Sequence, residues 1–469
     1  MTAVSPASFS DPGTGPEPVA PNGARVEAPL VLDTAPPRTL DFRAQFALWA
    51  NLGVSLIGFQ SAVTVLVVGG RELSFAAAVT AIVAGTVIGT SMLGVAALIG
   101  ARTGAPAMAM LRGLFGTRLS FLPTVLNILQ CIGWGVFELI VIAGGAQTVA
   151  GTQGWRWLFV LLAGVVTTVL TIWPLGAIAV LRKYVAVAVG VAMVYFTVQL
   201  GRQGFPDPGA GNWHGFLTAT DAVIAVSVSF VPLAADYTRH ARTAASAFWG
   251  SFTGYSLAQA WCYALGLIAL LQSGGDPSKV FSSFTGVAAG WVFLLVLVVR
   301  ETDQSFANVY STAMSVHNLL PRVDRRLLTG GIGALVTLLA LRIQEGEFYE
   351  TYANFLYLIG AVFVPLLAVL AVDYFFGAGR QGWNTAQDAP ARPLMLLPWV
   401  LGFAAYQFLA PTGIADWWTD FWMRLRDAVG FTPQSWTSAS LFGFLVAALA
   451  TWALTALTGR TSGTGADAR

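Results

Sequence analysis

Hydrophobic residues recur along this chain in long blocks. A helix needs about 20 consecutive, mostly apolar residues to cross a bilayer, and twelve blocks reach or approach that length. The pattern predicts an all-α integral membrane protein with twelve transmembrane helices, numbered here as spans 1 to 12. The spans cover residues 42–68, 76–100, 120–149, 157–179, 183–201, 219–236, 245–272, 285–316, 327–343, 351–376, 394–411 and 438–458.

The segments outside the spans predict the domain organisation and the orientation. Residues 1–40 hold no apolar block, and we expect them to be a disordered cytoplasmic tail. Residues 41–376 form the predicted transport core, residues 377–458 hold spans 11 and 12, and residues 459–469 form a second cytoplasmic tail. The loops after the even-numbered spans carry twelve Arg and Lys residues, against seven on the other side. The positive-inside rule therefore places both termini in the cytoplasm, with the chain in the plasma (inner) membrane.

The composition agrees with this class. Only 10% of the residues are charged and 56% are hydrophobic, whereas a soluble domain has about 25% charged residues. The net charge of +2 gives no reason to expect a nucleic-acid partner. We find no zinc-protease, phosphate-loop, nucleophile-elbow or dinucleotide motif, so nothing favours a membrane enzyme or receptor and no cofactor is expected. The sequence does not indicate an oligomeric state.

Span 8 departs from the apolar pattern. It carries Arg300, Glu301 and Asp303 within four residues, although an ionised side chain at mid-bilayer costs at least ~3 kcal/mol. At about 100° per residue, Gln304 and Asn308 fall on the same side of the helix as Arg300. This polar face predicts that span 8 lies against other polar groups or a wet cavity.

Spans 1 and 6 contain residues that weaken a helix. Span 1 reads Asn51-Leu-Gly53-Val-Ser55-Leu56, and span 6 reads Ser227-Val-Ser229-Phe230-Val-Pro232. Gly and Pro are common in membrane helices, so one such stretch alone would be weak evidence. Interrupted helices at the first and sixth positions predict an inverted five-plus-five repeat with a substrate site near the midplane.

Span 3 offers a candidate recognition surface. Trp134 and Glu138 lie four residues apart and therefore share a helix face, and Gly133 and Gly135 are expected to leave open space beside the indole ring. Such a face suits a flat heterocycle that stacks on the indole and donates N–H groups to the carboxylate. A packing role would explain Trp134 alone, but a carboxylate deep in an apolar span favours a functional site. An ion pair between Glu138 and Arg300 is one hypothesis.

Several stretches of this chain resemble the nucleobase–cation symport-1 family. They are the loop Gly100–Gly116, the pair Gly133-Trp134, the stretch Ala235–Arg239 and the stretch Val364–Phe375. That family includes permeases for cytosine, purines, uracil, allantoin, hydantoins and thiamine precursors. The resemblance implies the LeuT-type fold, with spans 1–5 and 6–10 as inverted repeats and spans 11 and 12 appended.

The resemblance also implies where the substrate binds. The heterocycle would lie between Trp134 and a group in span 6, where Phe230 is the candidate stacking partner. Glu138 occupies the polar position one turn after the Trp, and a carboxylate there favours substrates rich in N–H donors. The candidate substrate-binding residues are Trp134, Glu138, Ser227, Ser229, Phe230, Asn51, Gln304 and Asn308.

The coupling ion is left open between H⁺ and Na⁺. Sodium-coupled members use span 1 carbonyls and span 8 hydroxyls, which makes Gly53, Leu56 and Thr302 the candidates here, Thr302 being a metal ligand only under sodium coupling. The guanidinium of Arg300 could instead occupy or repel the sodium position. A carboxyl group would then carry a proton, and the candidates are Glu138, Glu301 and Asp303.

The sequence thus predicts a secondary transporter that imports a cytosine- or purine-type nucleobase with a coupled cation, preferably H⁺. The alternative is a permease of the same family for hydroxymethylpyrimidine (a thiamine precursor), uracil, allantoin or a hydantoin, with Na⁺ as the alternative ion. In either case the partners are a small nitrogen heterocycle and the lipid bilayer.

Overall fold

The computed structural model describes residues 36–463 except 69–70, 153, 174–177, 205–206, 208–210, 320–322, 387, 414 and 435. Most of the predicted tail 1–40 and the end of the tail 459–469 lie outside the described residues. Two short strands, β1 (Val67–Val68) and β2 (Arg71–Glu72), pair antiparallel. The α-helices are α1 (Phe42–Gly53), α2 (Leu56–Gln60), α3 (Ala62–Leu66), α4 (Phe75–Thr103), α5 (Ala107–Phe115), α6 (Phe121–Ala150), α7 (Arg156–Ile172), α8 (Ile178–Arg202), α9 (Phe216–Val228), α10 (Ala234–Thr238), α11 (Ala244–Gln272), α12 (Val280–Thr285), α13 (Gly290–Leu319), α14 (Arg325–Arg342), α15 (Phe348–Phe376), α16 (Leu396–Leu409), α17 (Asp416–Val429) and α18 (Ala439–Gly463). Short 3₁₀ helices lie at Val231–Leu233, Pro277–Lys279, Glu345–Glu347, Ala378–Gln381 and Pro393–Met395.

The longer helices agree in position with the apolar blocks. Seven helices of the described residues are long and apolar enough to cross a membrane, and a bent pair within span 1 makes an eighth. Two shorter apolar helices, Arg156–Ile172 and Pro393–Leu409, match spans 4 and 11. Helices α13 and α14 coincide with spans 8 and 9. The all-α membrane fold is therefore confirmed, and the count of twelve transmembrane spans stays a prediction.

Span 1 is divided in two. Helix α1 ends at Gly53, α2 begins at Leu56, and the chain turns by 57° between them. Ser55 has an extended backbone and accepts a hydrogen bond from the Ile57 N–H, as expected of a residue that starts a helix. The break therefore lies within the stretch in which the sequence places Gly53 and Ser55.

Span 6 is also interrupted, but without a sharp bend. Helix α9 ends at Val228, a 3₁₀ turn containing Pro232 follows, and α10 continues the chain. Phe216–Thr238 still forms one stretch of 23 residues long enough to cross a membrane. Pro232 lacks an N–H and cannot donate the helical hydrogen bond at its position, so the backbone hydrogen bonding changes here without a sharp bend.

Two groups of helices pack against each other. Span 1, α4, α9 and α11 form one group, in which α11 contacts both α1 and α4, and α4 contacts α9. The other group is α6, α7, α13 and α14, in which α6 contacts α13 and α7 contacts α14. Helix α15 reaches both groups, and α16 and α18 pack on its outer side.

Small residues let span 1 approach α11 closely. They occur on α11 at every fourth position, and a Cβ atom added at Gly254 would lie 2.5 Å from the Phe46 carbonyl oxygen. One added at Gly266 would lie 2.1 Å from the Phe59 carbonyl oxygen. Such spacing is typical of close helix packing in membranes, and it holds both halves of the broken span against one continuous helix.

Candidate substrate site

A cavity lies between the two helix groups, next to both interruptions. Its walls come from α1, the α1–α2 break, α6, the end of α9, α11 and α13. Gly53 and Ser55 line it from span 1, and Ser229 and Phe230 line it from span 6. The two interrupted helices therefore meet the polar side of span 8 at one place.

Helix α6 presents three polar side chains to this cavity, at intervals of four residues. They are Gln130, Trp134 and Glu138, which share a face of a continuous helix. In the described part of the chain, each has one buried polar atom without a hydrogen-bond partner: Oε1 of Gln130, Nε1 of Trp134 and Oε2 of Glu138. Buried polar groups in proteins are normally paired, so two acceptors and one donor are left available for a ligand.

Glu138 is held by span 8. The side chain is only 3% exposed, and its Oε1 accepts a hydrogen bond of 2.9 Å from Nδ2 of Asn308. In the described part of the chain no ion pair joins it to a cationic side chain, so the hypothesis of a Glu138–Arg300 pair is wrong. Arg300 instead lies 3.8 Å from the carboxylate of Asp303.

The indole of Trp134 is fixed by aromatic neighbours on α15. Its ring contacts Phe355 edge-to-face at 5.3 Å and Tyr352 at 6.1 Å between centroids. The expectation of open space beside the indole is wrong at Gly133, where an added Cβ would meet the Phe355 ring at 2.4 Å. Gly133 thus admits Phe355 to a position beside the indole, which limits the rotation of Trp134.

The span 6 residues divide into two sets. Phe230 lines the cavity and packs edge-to-face on Trp49 and Tyr255. Ser229 also lines it, and its carbonyl oxygen accepts a hydrogen bond of 2.8 Å from Nε2 of Gln130. The structure does not bring Ser227 to the cavity, because its hydroxyl points to α11 and donates to Gln259 at 2.8 Å.

The remaining candidates on span 8 also separate. Gln304 and Asn308 line the cavity, whereas Arg300 and Glu301 are buried against the break in span 1 together with Asn51. The Thr302 hydroxyl donates to the Val299 carbonyl oxygen of its own helix at 2.7 Å. It therefore does not face the Gly53 and Leu56 positions with which it was expected to form a sodium site.

Gln130 is the principal residue that the sequence interpretation missed. Its amide nitrogen donates to Asn127 and to Ser229, both at 2.8 Å, and its oxygen is buried without a hydrogen-bond partner among the described residues. The signal was available, because Gln130 lies one helical turn before Trp134 on the same face. Tyr255 and Gln259 also line the cavity, but nothing in the apolar sequence of α11 distinguishes them.

A polar, partly unsatisfied cavity inside a bundle of apolar helices, beside a broken span, is typical of a multi-pass membrane transporter. The protein-family model described as "Permease for cytosine/purines, uracil, thiamine, allantoin" matches residues 37–387. The chain therefore belongs to this permease family, as the resemblance to nucleobase–cation symporters predicted.

Individual relatives agree with this membership. The chain is 27% identical over 321 residues to the putative purine-cytosine permease YxlA of Bacillus subtilis, covering 64% of this chain and 68% of that one. It is 21% identical over 340 residues to the purine-cytosine permease FCY2 of Saccharomyces cerevisiae, covering 65% of this chain and 62% of that one. The chain thus spans a little under two thirds of the yeast protein.

The solved structure of Mhp1 has the same fold. Its inward-facing form matches with a TM-score of 0.73 and 16% identity, covering 92% of this chain and 94% of Mhp1. Its closed form with bromovinylhydantoin bound matches with a TM-score of 0.68 and 17% identity, covering 92% and 97%. The fold is therefore LeuT-type, and the permease relatives make this chain a transporter and not an enzyme.

Proposed function

We propose that this protein imports a cytosine- or purine-type nucleobase together with a proton. The observation that carries the proposal is the row of unpartnered buried atoms on α6. Trp134 offers a flat ring with a free N–H, and Gln130 and Glu138 on either side of it offer free acceptor oxygens. A flat ring that carries N–H donors and a ring nitrogen or carbonyl acceptor would satisfy all three.

Glu138 favours bases with exocyclic amino groups. One carboxyl oxygen already accepts from Asn308, and the second has no hydrogen-bond partner among the described residues, so it can accept from a substrate N–H when Glu138 is ionised or donate to a substrate ring nitrogen when Glu138 is protonated. Leaving a buried polar group unpaired costs about 1–3 kcal/mol, so a substrate that supplies the missing donor gains that energy on binding. Cytosine and the aminopurines present such donors on one edge, whereas uracil presents fewer.

Glu138 is also the carboxyl group best suited to carry the coupling proton. Burial of an unpaired carboxylate is costly, and the cost is removed when the group takes up a proton. Both oxygens of Glu301 already accept hydrogen bonds, and Asp303 lies beside Arg300. Of the three candidates, only Glu138 combines burial, a free oxygen and access to the cavity.

The orientation follows from the loop charges. Positive residues concentrate in the loops after the even-numbered spans, which supports a plasma-membrane (inner-membrane) protein with cytoplasmic termini. Import would then proceed by alternating exposure of the cavity, as in other transporters with inverted repeats.

Uptake of labelled bases tests the substrate and the ion together. Cells that lack their own base transporters and express this chain are given cytosine, adenine, guanine, uracil, allantoin, a hydantoin or hydroxymethylpyrimidine. We expect cytosine or a purine to accumulate, accumulation to collapse with a protonophore, and replacement of sodium by choline to have no effect. Preference for uracil, allantoin, a hydantoin or hydroxymethylpyrimidine would select the alternative substrate, and no uptake of any base would refute the proposal.

A further inference from the structure

The break in span 1 exposes backbone groups that a membrane cannot satisfy. Helix α1 ends at Gly53 and α2 begins at Leu56, so the last carbonyls of α1 and the first N–H groups of α2 have no partner within their helices. The lipid chains of the hydrocarbon region offer these groups no hydrogen-bond partner. Three side chains on one turn of α13 reach this break: Arg300, Glu301 and Gln304.

The carbonyl oxygens at the end of α1 accept hydrogen bonds from the guanidinium of Arg300 and the amide of Gln304. Nη2 of Arg300 donates to the Asn51 carbonyl oxygen at 2.6 Å, and its Nε donates to the Asn51 side chain at 3.3 Å. Nε2 of Gln304 donates to the carbonyl oxygens of Leu52 and Val54, at 2.9 and 3.0 Å. The C-terminal end of a helix carries partial negative charge, so the guanidinium lies where a cation is favoured.

The first N–H group of α2 is hydrogen-bonded to the side chain of Glu301. Oε2 of Glu301 accepts a hydrogen bond of 2.9 Å from the Leu56 N–H, and its Oε1 accepts one of 2.6 Å from the Ser55 hydroxyl. The N-terminal end of a helix carries partial positive charge. Two consecutive residues, Arg300 at 3% exposure and Glu301 at 0%, thus place opposite charges against the two opposite helix ends.

We propose that Arg300, Glu301 and Gln304 form a helix-break clamp that replaces a bound sodium ion in span 1. The carbonyls at a broken transporter helix are groups that can coordinate sodium, and here those of Asn51, Leu52 and Val54, which flank the candidate Gly53, already accept hydrogen bonds from Arg300 and Gln304. A fixed guanidinium 2.6 Å from one of these oxygens repels a second cation. The Thr302 hydroxyl, a candidate sodium ligand, bonds its own helix. The hydrogen bonds of the clamp do not depend on the proposed transport function. Its consequence for the coupling ion does rest on that function.

Thermal unfolding of the purified full-length protein tests the clamp without any substrate. Unfolding midpoints are measured in detergent with sodium chloride and with choline chloride at equal ionic strength. We expect the wild-type Tm to be the same in both salts across the titration. A saturable rise in Tm with sodium alone would show a sodium site and overturn the proposal.

Two substitutions of Arg300 test whether its positive charge is needed for the clamp. Arg300→Met preserves much of the side-chain length without the charge, and Arg300→Lys preserves the charge without the planar donor group. We expect Arg300→Met to lower Tm by about 3–5 °C, and Arg300→Lys to lie between it and the wild type. An Arg300→Met protein with the wild-type Tm would refute the clamp. If that variant does not fold, the sodium titration of the wild type decides alone.

The outcomes separate the clamp from the transport proposal. If no nucleobase is taken up and sodium leaves Tm unchanged, the substrate assignment is wrong and the clamp stands. If a nucleobase is taken up and sodium raises the Tm of the wild type, the transport function stands and the clamp is wrong.

Discussion

Asn308 donates a hydrogen bond of 2.9 Å from Nδ2 to Oε1 of Glu138, across the contact between α13 and α6. This bond orients the carboxyl group, because it engages one oxygen, while the other has no hydrogen-bond partner among the described residues. The polar face of span 8 and the candidate recognition face of span 3 therefore meet at one cavity.

Substituting Asn308 by Ala should weaken substrate binding without unfolding the protein. Loss of a hydrogen bond to a potentially charged group costs about 1.5 kcal/mol or more, which corresponds to at least a roughly tenfold higher Kd. Direct binding to the purified protein measures this change. Ser91→Ala is the matched control, since the Ser91 hydroxyl bonds its own helix at 2.6 Å on an exposed face. An Asn308→Ala variant with the wild-type Kd would show that the bond does not orient the carboxyl group.

Substituting Glu138 by Gln should separate binding from coupling. The amide oxygen can still accept from Asn308, but the side chain can no longer gain or lose a proton. We expect bound base to exchange across the membrane, while accumulation driven by a pH gradient is lost. The affinity for amino-bearing bases should also fall more than the affinity for oxo bases. Transport in vesicles with and without an imposed pH gradient measures both effects, and accumulation that still follows the gradient would exclude Glu138 as the proton carrier.

Substituting Trp134 should test stacking and hydrogen bonding separately. Aromatic stacking with a base is worth about 1–3 kcal/mol, so Trp134→Ala should raise Kd by roughly fivefold to a hundredfold. Trp134→Phe keeps a ring beside Phe355 but lacks the N–H, and we expect an intermediate Kd. Size-exclusion profiles and Tm values establish that both variants fold. Wild-type affinity in Trp134→Ala would argue against the indole as the stacking surface.

The sequence predicted the fold, and it singled out several residues that line one cavity, because charged or helix-weakening residues in apolar spans are physically costly and stand out. Charged residues in an apolar span require partners, and the structure places Arg300 and Glu301 against the break in span 1. Spacing by four residues correctly joined Trp134 and Glu138 on one wall of the cavity. In each case local geometry within one helix carried the prediction.

The errors arose where the outcome depends on contacts between helices. Helical spacing does not show that the Ser227 hydroxyl bonds Gln259 on α11, or that Thr302 bonds its own backbone. Gly133 predicted open space, but Phe355 from α15 fills it. The partner of Arg300 could not be chosen from the sequence either, since the choice requires the distance between α6 and α13.

The close approach of span 1 to α11 makes a last prediction about stability. An added Cβ at Gly266 would lie 2.1 Å from the Phe59 carbonyl oxygen, a backbone atom that can move only with its helix. Overpacking of this kind costs typically 1–3 kcal/mol, so Gly266→Ala should lower Tm. Gly330→Ala in α14 is the control, because among the described residues no atom beyond its own stretch of helix lies within 4 Å of the corresponding Cβ position and Ala favours a helix over Gly. We expect the Tm of Gly330→Ala to equal or exceed that of the wild type. Equal Tm values for the two variants would mean that α2 can move away from α11 at little cost, and that the contact does not hold the broken span in place.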